Sequence, residues 1–130
     1  MIAAENILKG NTVALDTSVV ASAVFTIPNL ARVGLSEADA RQRKLDFRIH
    51  RGSTTDWPSS LRIGERHSFY KIIIENSTDR ILGAHLLRHQ AAEVINIFAL
   101  ALHQGLTVQD LKSAFWAYPT NSSDLNNMLR

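Results

Sequence analysis

The chain has 130 residues, 45% of them hydrophobic, with 14 basic and 12 acidic side chains for a net charge of +2. That is material for one globular domain burying roughly two-thirds of its unfolded surface, and the interspersed charges exclude a nucleic-acid-binding stripe. No cysteine is present, which excludes a disulfide and any thiol chemistry within the chain. No apolar run approaches the roughly twenty residues of a membrane span, and no secretory signal core is present, so a soluble, cytoplasmic protein is expected.

Ala3–Leu8 reads as a short helix closed by Gly10-Asn11, too short to be stable alone and shaped like the tail of something longer. Residues 12–20 connect it to a strand at Ala21–Thr26, which Ile27-Pro28-Asn29 ends; Arg32–Leu35 is a second short extended piece. Ser36 with Asp39 three residues on is a helix N-cap pattern. The longest basic cluster, Arg41-Gln42-Arg43-Lys44, falls at that helix's end, where cations complement the dipole. Phe47-Arg48-Ile49-His50 alternates as a strand does, and Gly52–Ser60, with Trp57-Pro58, reads as a loop.

Phe69–Glu75 and Arg80–Leu86 are β-rich runs around the turn chemistry of Asn76-Ser77-Thr78-Asp79, a hairpin. Ala91–Gln104 is the longest helix. Glu93 and Asn96 share one narrow face and almost every other residue is apolar, whereas a surface helix carries a single apolar stripe. It runs centrally between the sheet and a neighbouring helix, or part of it lies in a subunit or domain interface, and both can hold at once. The run Gly105-Leu106-Thr107-Val108-Gln109-Asp110-Leu111 ends it and opens another helix. Strands followed by helices, without regular βαβ alternation and without an internal repeat, predict an α+β fold with an antiparallel sheet.

Single residues carry competing readings. His85 and His89 have the i,i+4 spacing of a helical metal pair, but one falls at a strand end and the other before a helix, so a structural or surface role is expected and no metal site. Trp57 and Trp116 read as core or interface aromatics. Ser122, Ser123 and Asp124 are either catalytic groups or ordinary N-caps. Tyr118 is either an active-site contact or a buried or interfacial tyrosine with its hydroxyl satisfied.

Several motifs in order resemble one family across nearly the whole chain. Ala23-Val24-Phe25-Thr26-Ile27-Pro28 and Val33-Gly34-Leu35-Ser36-Glu37 look like its Val-Val-Phe-Thr-x-Pro…Val-Gly-Leu-Thr-Glu opening, and Ile81-Leu82-Gly83-Ala84-His85 like its Ile-Leu-Gly-Ala-His strand. Ala92-Glu93-Val94-Ile95-Asn96 with Ala99-Leu100-Ala101 is similar to its interface helix, and Asn6–Asn11 to the exit helix of its FAD-binding region. Tyr118-Pro119-Thr120-Asn121-Ser122-Ser123 resembles its terminal His-Pro-Thr-x-Ser-Glu run. The family is the class I pyridine nucleotide-disulfide oxidoreductases (glutathione reductase, dihydrolipoamide dehydrogenase, mercuric reductase), and the resemblance is to their C-terminal dimerisation domain.

The resemblance implies an antiparallel sheet of about five strands with helices packed on it. Residues 1–11 would be the tail of an upstream FAD-domain helix, and residues 12–130 the dimerisation domain of a homodimer. It places the FAD and NAD(P)H domains and the redox cysteine pair upstream; no G-x-G-x-x-G dinucleotide fingerprint lies in this chain. An intact parent would move electrons from NAD(P)H through FAD to a disulfide or similar acceptor. The chain alone, binding no cofactor, would catalyse nothing and would supply Tyr118 and Pro119 to the partner subunit's flavin site. The family also favours a cis Tyr118–Pro119 bond.

Two departures stand out. Tyr118 occupies the family's catalytic His position and Ser123 its Glu position, with Asp124 one further. A phenol with an ordinary pKa of about 10 cannot shuttle protons at neutral pH as an imidazole does, so the dyad is not preserved. Arg88 stands where the family usually has Gly. The other reading, motivated by the missing dyad, is a free-standing, non-catalytic homodimeric module of the same fold.

Overall fold

A computed structural model describes residues 2–14 and 19–130. In chain order it forms α1 (Ile2–Lys9), β1 (Ser22–Val24), β2 (Asn29–Gly34), α2 (Glu37–Gln42), β3 (Phe47–Ser53), α3 (Pro58–Leu61), β4 (Phe69–Glu75), β5 (Ile81–Arg88), α4 (Ala91–Gln104), α5 (Val108–Ser113) and α6 (Leu125–Met128). The strands make one antiparallel sheet in the order β1-β2-β5-β4-β3. The α+β architecture read from the sequence is therefore the one observed.

The hairpin is the centre of the sheet. Phe69 pairs with Leu87 and Ile72 with Ala84, and Asp79 takes a left-handed conformation (φ 63°) in the turn. Alternation sends Ile72 and Ile74 of β4, and Ala84 and Leu86 of β5, to one face, where they meet Ala31 and Val33 of β2 and the inner face of α4. That inner face is Ala91, Val94, Ile95, Phe98 and Ala101, the spacing of one helical stripe.

Some boundaries move. The first strand is shorter than Ala21–Thr26, because Phe25 and Thr26 leave the ladder at the cis Ile27–Pro28 bond. The second begins at Asn29 rather than Arg32, paired along its length with β5. The third continues to Ser53, so Gly52 is not loop, and α3 forms within the expected loop with Pro58 at its first turn. The connecting stretch over 12–20 lies partly outside the described residues.

Gly34 (φ 72°) and Gly83 pair across β2 and β5 where the chain turns away from the sheet. A Cβ on Gly83 would lie 2.1 Å from the Leu35 carbonyl oxygen, and one on Gly34 would lie 2.4 Å from Leu102 Cδ2. Only glycine allows that approach. Ser36 and Thr107 each form a reciprocal capping box with the aspartate three residues on, so α2 and α5 begin as the sequence indicates.

The long helix departs from one of its two readings. It packs on β1, β2 and β5, and its far side leaves Glu93, Asn96, Leu100 and His103 exposed. Among the described residues its main contacts are with those strands and not with another helix. Leu100 is 58% exposed, an apolar residue on a face the chain itself does not cover.

Candidate functional site

The C-terminal segment is an arch held at both ends. At its start, Trp116 is partly buried and its indole Nε1 donates to the Leu111 carbonyl at 3.2 Å, tying the segment to α5. At its end, Leu125, Met128 and Leu129 sit fully inside the core cluster. Between these anchors the chain rises through Ala117, Tyr118 and Pro119, all exposed, with a cis Tyr118–Pro119 bond. Tyr118 is 79% exposed, so it is not a buried tyrosine.

The turn after Pro119 is closed by local bonds. The Thr120 N–H donates to Ser123 Oγ at 3.1 Å, Ser123 Oγ–H donates to the Thr120 carbonyl at 2.7 Å, and the Thr120 hydroxyl donates to the Ala117 carbonyl at 2.6 Å. Ser123 is thereby committed to the turn. Asp124 stands at the N-cap position of α6, yet its side chain caps nothing there; the N-cap role weighed for it from sequence is not the one its carboxylate plays. That carboxylate, on a residue 6% exposed, accepts from Arg88 Nη2 at 2.5 Å and from Ser59 Oγ at 2.6 Å.

Arg88 closes the network. It is fully buried at the end of β5, and its Nη2 also reaches Ser59 Oγ at 2.9 Å and Asn121 Oδ1 at 3.1 Å. Among the described residues its Nε and Nη1 find no partner. Arg88 thus meets Asp124, one residue beyond Ser123, and touches neither Ser123 nor Tyr118 through a hydrogen bond. Arg88, Ser59 and Asn121 are the site residues that sequence reasoning missed. One signal was available for Arg88: it follows Ala84 and Leu86 at a spacing of two, which puts it on the core face of its strand.

Tyr118, Pro119, Ser123 and Asp124 line one small cavity of about 110 Å³ with Ser59 and Asn127. Small-molecule sites usually run to roughly 300–1,000 Å³. This cavity is too small for a dinucleotide, and what the arch offers is an edge: a phenol and a proline ring presented outward. His85 lies in β5 with Nδ1 buried and unpartnered, and His89 is exposed with its backbone N–H donating to Glu65 at 2.6 Å, so the two do not form a facing pair. Trp57 is half-buried and stacks obliquely on Tyr70, ring centroids 5.7 Å apart.

Residues 20–129 match the family model for the pyridine nucleotide-disulphide oxidoreductase dimerisation domain. The chain belongs to that family. It is 38% identical over 128 residues to a 19.7 kDa protein of a Staphylococcus aureus mercuric resistance operon, covering 98% of this chain and 71% of that one. It is 31% identical to human mitochondrial dihydrolipoyl dehydrogenase over 115 residues, 88% of this chain and 23% of the enzyme. Among solved structures, the HOCl-induced flavoprotein disulfide reductase RclA of Escherichia coli, in its Cu(II) complex, superposes with a TM-score of 0.88 at 29% identity, covering 98% of this chain and 29% of the reductase. The chain spans less than a third of these two reductases and most of the staphylococcal protein. No helix among the described residues is long and apolar enough to cross a membrane.

Proposed function

We propose that this chain is the interface domain of an FAD- and NAD(P)H-dependent, disulfide-reductase-like cytoplasmic oxidoreductase. It associates with a second copy of itself and supplies Tyr118-Pro119-Thr120 to the partner subunit's flavin site. The observation that carries this reading is the arch: Leu125, Met128 and Leu129 buried in the core behind it, and a tyrosine 79% exposed at its crest. A solvent-facing aromatic held between two anchors has a fixed place but no local use, and a second surface gives it one. Leu100 on the outer face of α4 supports the same reading.

Residues 1–11 are, on this proposal, the tail of a helix from an upstream FAD domain. In support, α1 buries none of its residues and leaves Ile7 and Leu8 each 83% exposed, an apolar pair suited to a further domain. Tyr118 takes the place of an acid–base group without acting as one, contributing a hydrogen-bond donor and ring area; Ser123 and Asp124 hold the turn. FAD and NAD(P)H would be bound by the upstream domains, and the chain by itself catalyses nothing. The flavin supplies electron transfer in such a parent.

A second reading has its own observation. The staphylococcal relative is mostly this domain, since the chain covers 71% of it, which favours a free-standing homodimeric module that keeps the fold without the chemistry. Both readings need the arch to face a second copy. Replacing Tyr118 with a photoactivatable benzoyl-phenylalanine tests this: irradiation is expected to give a covalent product of two chains. Labelling confined to single chains at concentrations where the protein self-associates would remove the arch from the interface.

A further inference from the structure

We propose that Arg88 is the positioning residue of the C-terminal arch: its guanidinium fixes Asp124, Asn121 and Ser59 to the end of β5, and so sets where Tyr118 and Pro119 stand. Three features carry this. First, one nitrogen, Nη2, serves three acceptors from two different segments, Ser59 from α3 and both Asn121 and Asp124 from the tail. No other side-chain bond between the residues from Thr120 to Asp124 and the sheet is formed among the described residues. Every remaining side-chain bond of the Thr120–Ser123 turn stays within residues 117–123.

Second, the group is costly where it lies. Arg88 is fully buried, and its Nε and Nη1 go without partners. A buried ion pair adds little net stability over apolar side chains of similar size even when every donor is satisfied, and this one is not. The bidentate fork that would bind a carboxylate most strongly is not used. Third, α6 already anchors the tail through Leu125, Met128 and Leu129. Apolar contacts are non-directional, so they hold α6 down without fixing the register of the turn before it. The directional bonds of Arg88 supply that register.

The purpose of the arch rests on the reading given under Proposed function; the pinning does not, and it can be measured without a second copy. The test is residue-resolved hydrogen exchange on the full chain carrying Arg88→Met with Asp124→Leu, a pair that removes both charges together. The Ser123 and Leu125 amides, which bond to Thr120 and Ser122 carbonyls, are expected to exchange at least about tenfold faster, while Ile72–Ile74 keep their protection. Arg88→Lys, which retains a cation beside Asp124, is expected to keep most of the tail protection.

Unchanged Ser123 and Leu125 exchange in a folded double variant would overturn the proposal. So would an acceleration spread equally over the hairpin, which marks a general stability role. Should the double variant fail to fold, the unmutated chain decides. The Arg88 Nε–H and the Leu125 amide are expected to become exposed in one opening event with a common rate; a Leu125 amide that opens while Arg88 stays protected would also overturn it. If the arch is pinned but Tyr118 labels no second chain, the functional reading fails and the clamp stands.

Discussion

At the level of single residues, Arg88 governs the site. Removing it alone leaves the Asp124 carboxylate buried without its cation, so Arg88→Met is expected to cost about 3–5 kcal/mol in urea denaturation, most of it recovered when Asp124→Leu is added. A loss equal in the single and double variants would contradict a coupled pair. The half-buried histidines His50 and His85 make the second prediction. Burial pushes His50 and His85 below the ordinary imidazole value of 6.5, helped by the Arg48 and Lys71 cations beside them, and the Nδ1 of each lacks a partner. The folded chain therefore resists protonation while the unfolded chain takes up protons near pH 6.5. Stability is expected to be level above that pH and to fall as pH drops below it, and His50→Gln with His85→Gln is expected to flatten the fall below pH 6.5. Glu37, Asp39 and Asp110 add a second acid-sensitive window below their ordinary values of 3.8 to 4.5. Arg41 holds the first of these low, the Ser36 hydroxyl the second, and the Thr107 backbone N–H the third.

At the level of elements, the hairpin and the cap of α2 were plain in the sequence because their signals are local: β-rich runs flanking Asn-Ser-Thr-Asp, and Ser36 three residues before Asp39. β2 was read short, because Asn29, Leu30 and Ala31 gain their strand identity from pairing with Arg88, Leu87 and Leu86, a partner some sixty residues away. The buried state of Arg88 was equally non-local, since its acceptors lie in α3 and in the tail. In α4 the sequence showed an excess of apolar residues but not which side the sheet would cover. The two sides now separate by experiment. Phe98→Ala, in the core, is expected to cost about 3–5 kcal/mol. Leu100→Ala, on the outer face, is expected to leave unfolding within about 0.5 kcal/mol and to weaken self-association; equal costs for both would show that the outer face is covered within one chain.

At the level of the whole molecule, the sheet is roofed by α4 on one face, while Leu30 and Phe69 remain about half-exposed on strands β2 and β4. The apolar material left uncovered at α1, on α4 and along the arch suits a body built to be joined to others. The family motifs made that legible from sequence, since they lie in order along nearly the whole chain. What they could not convey is that a buried Arg88–Asp124 ion pair lies behind the arch.

The proposed association requires a second copy of the chain against Leu100 and the arch. Sedimentation equilibrium over rising protein concentration addresses it most directly. A reversible shift from the 14.5 kDa chain toward twice that mass, weakened by Leu100→Ala, is the expected result. A lone 14.5 kDa species persisting to the highest concentrations would contradict it.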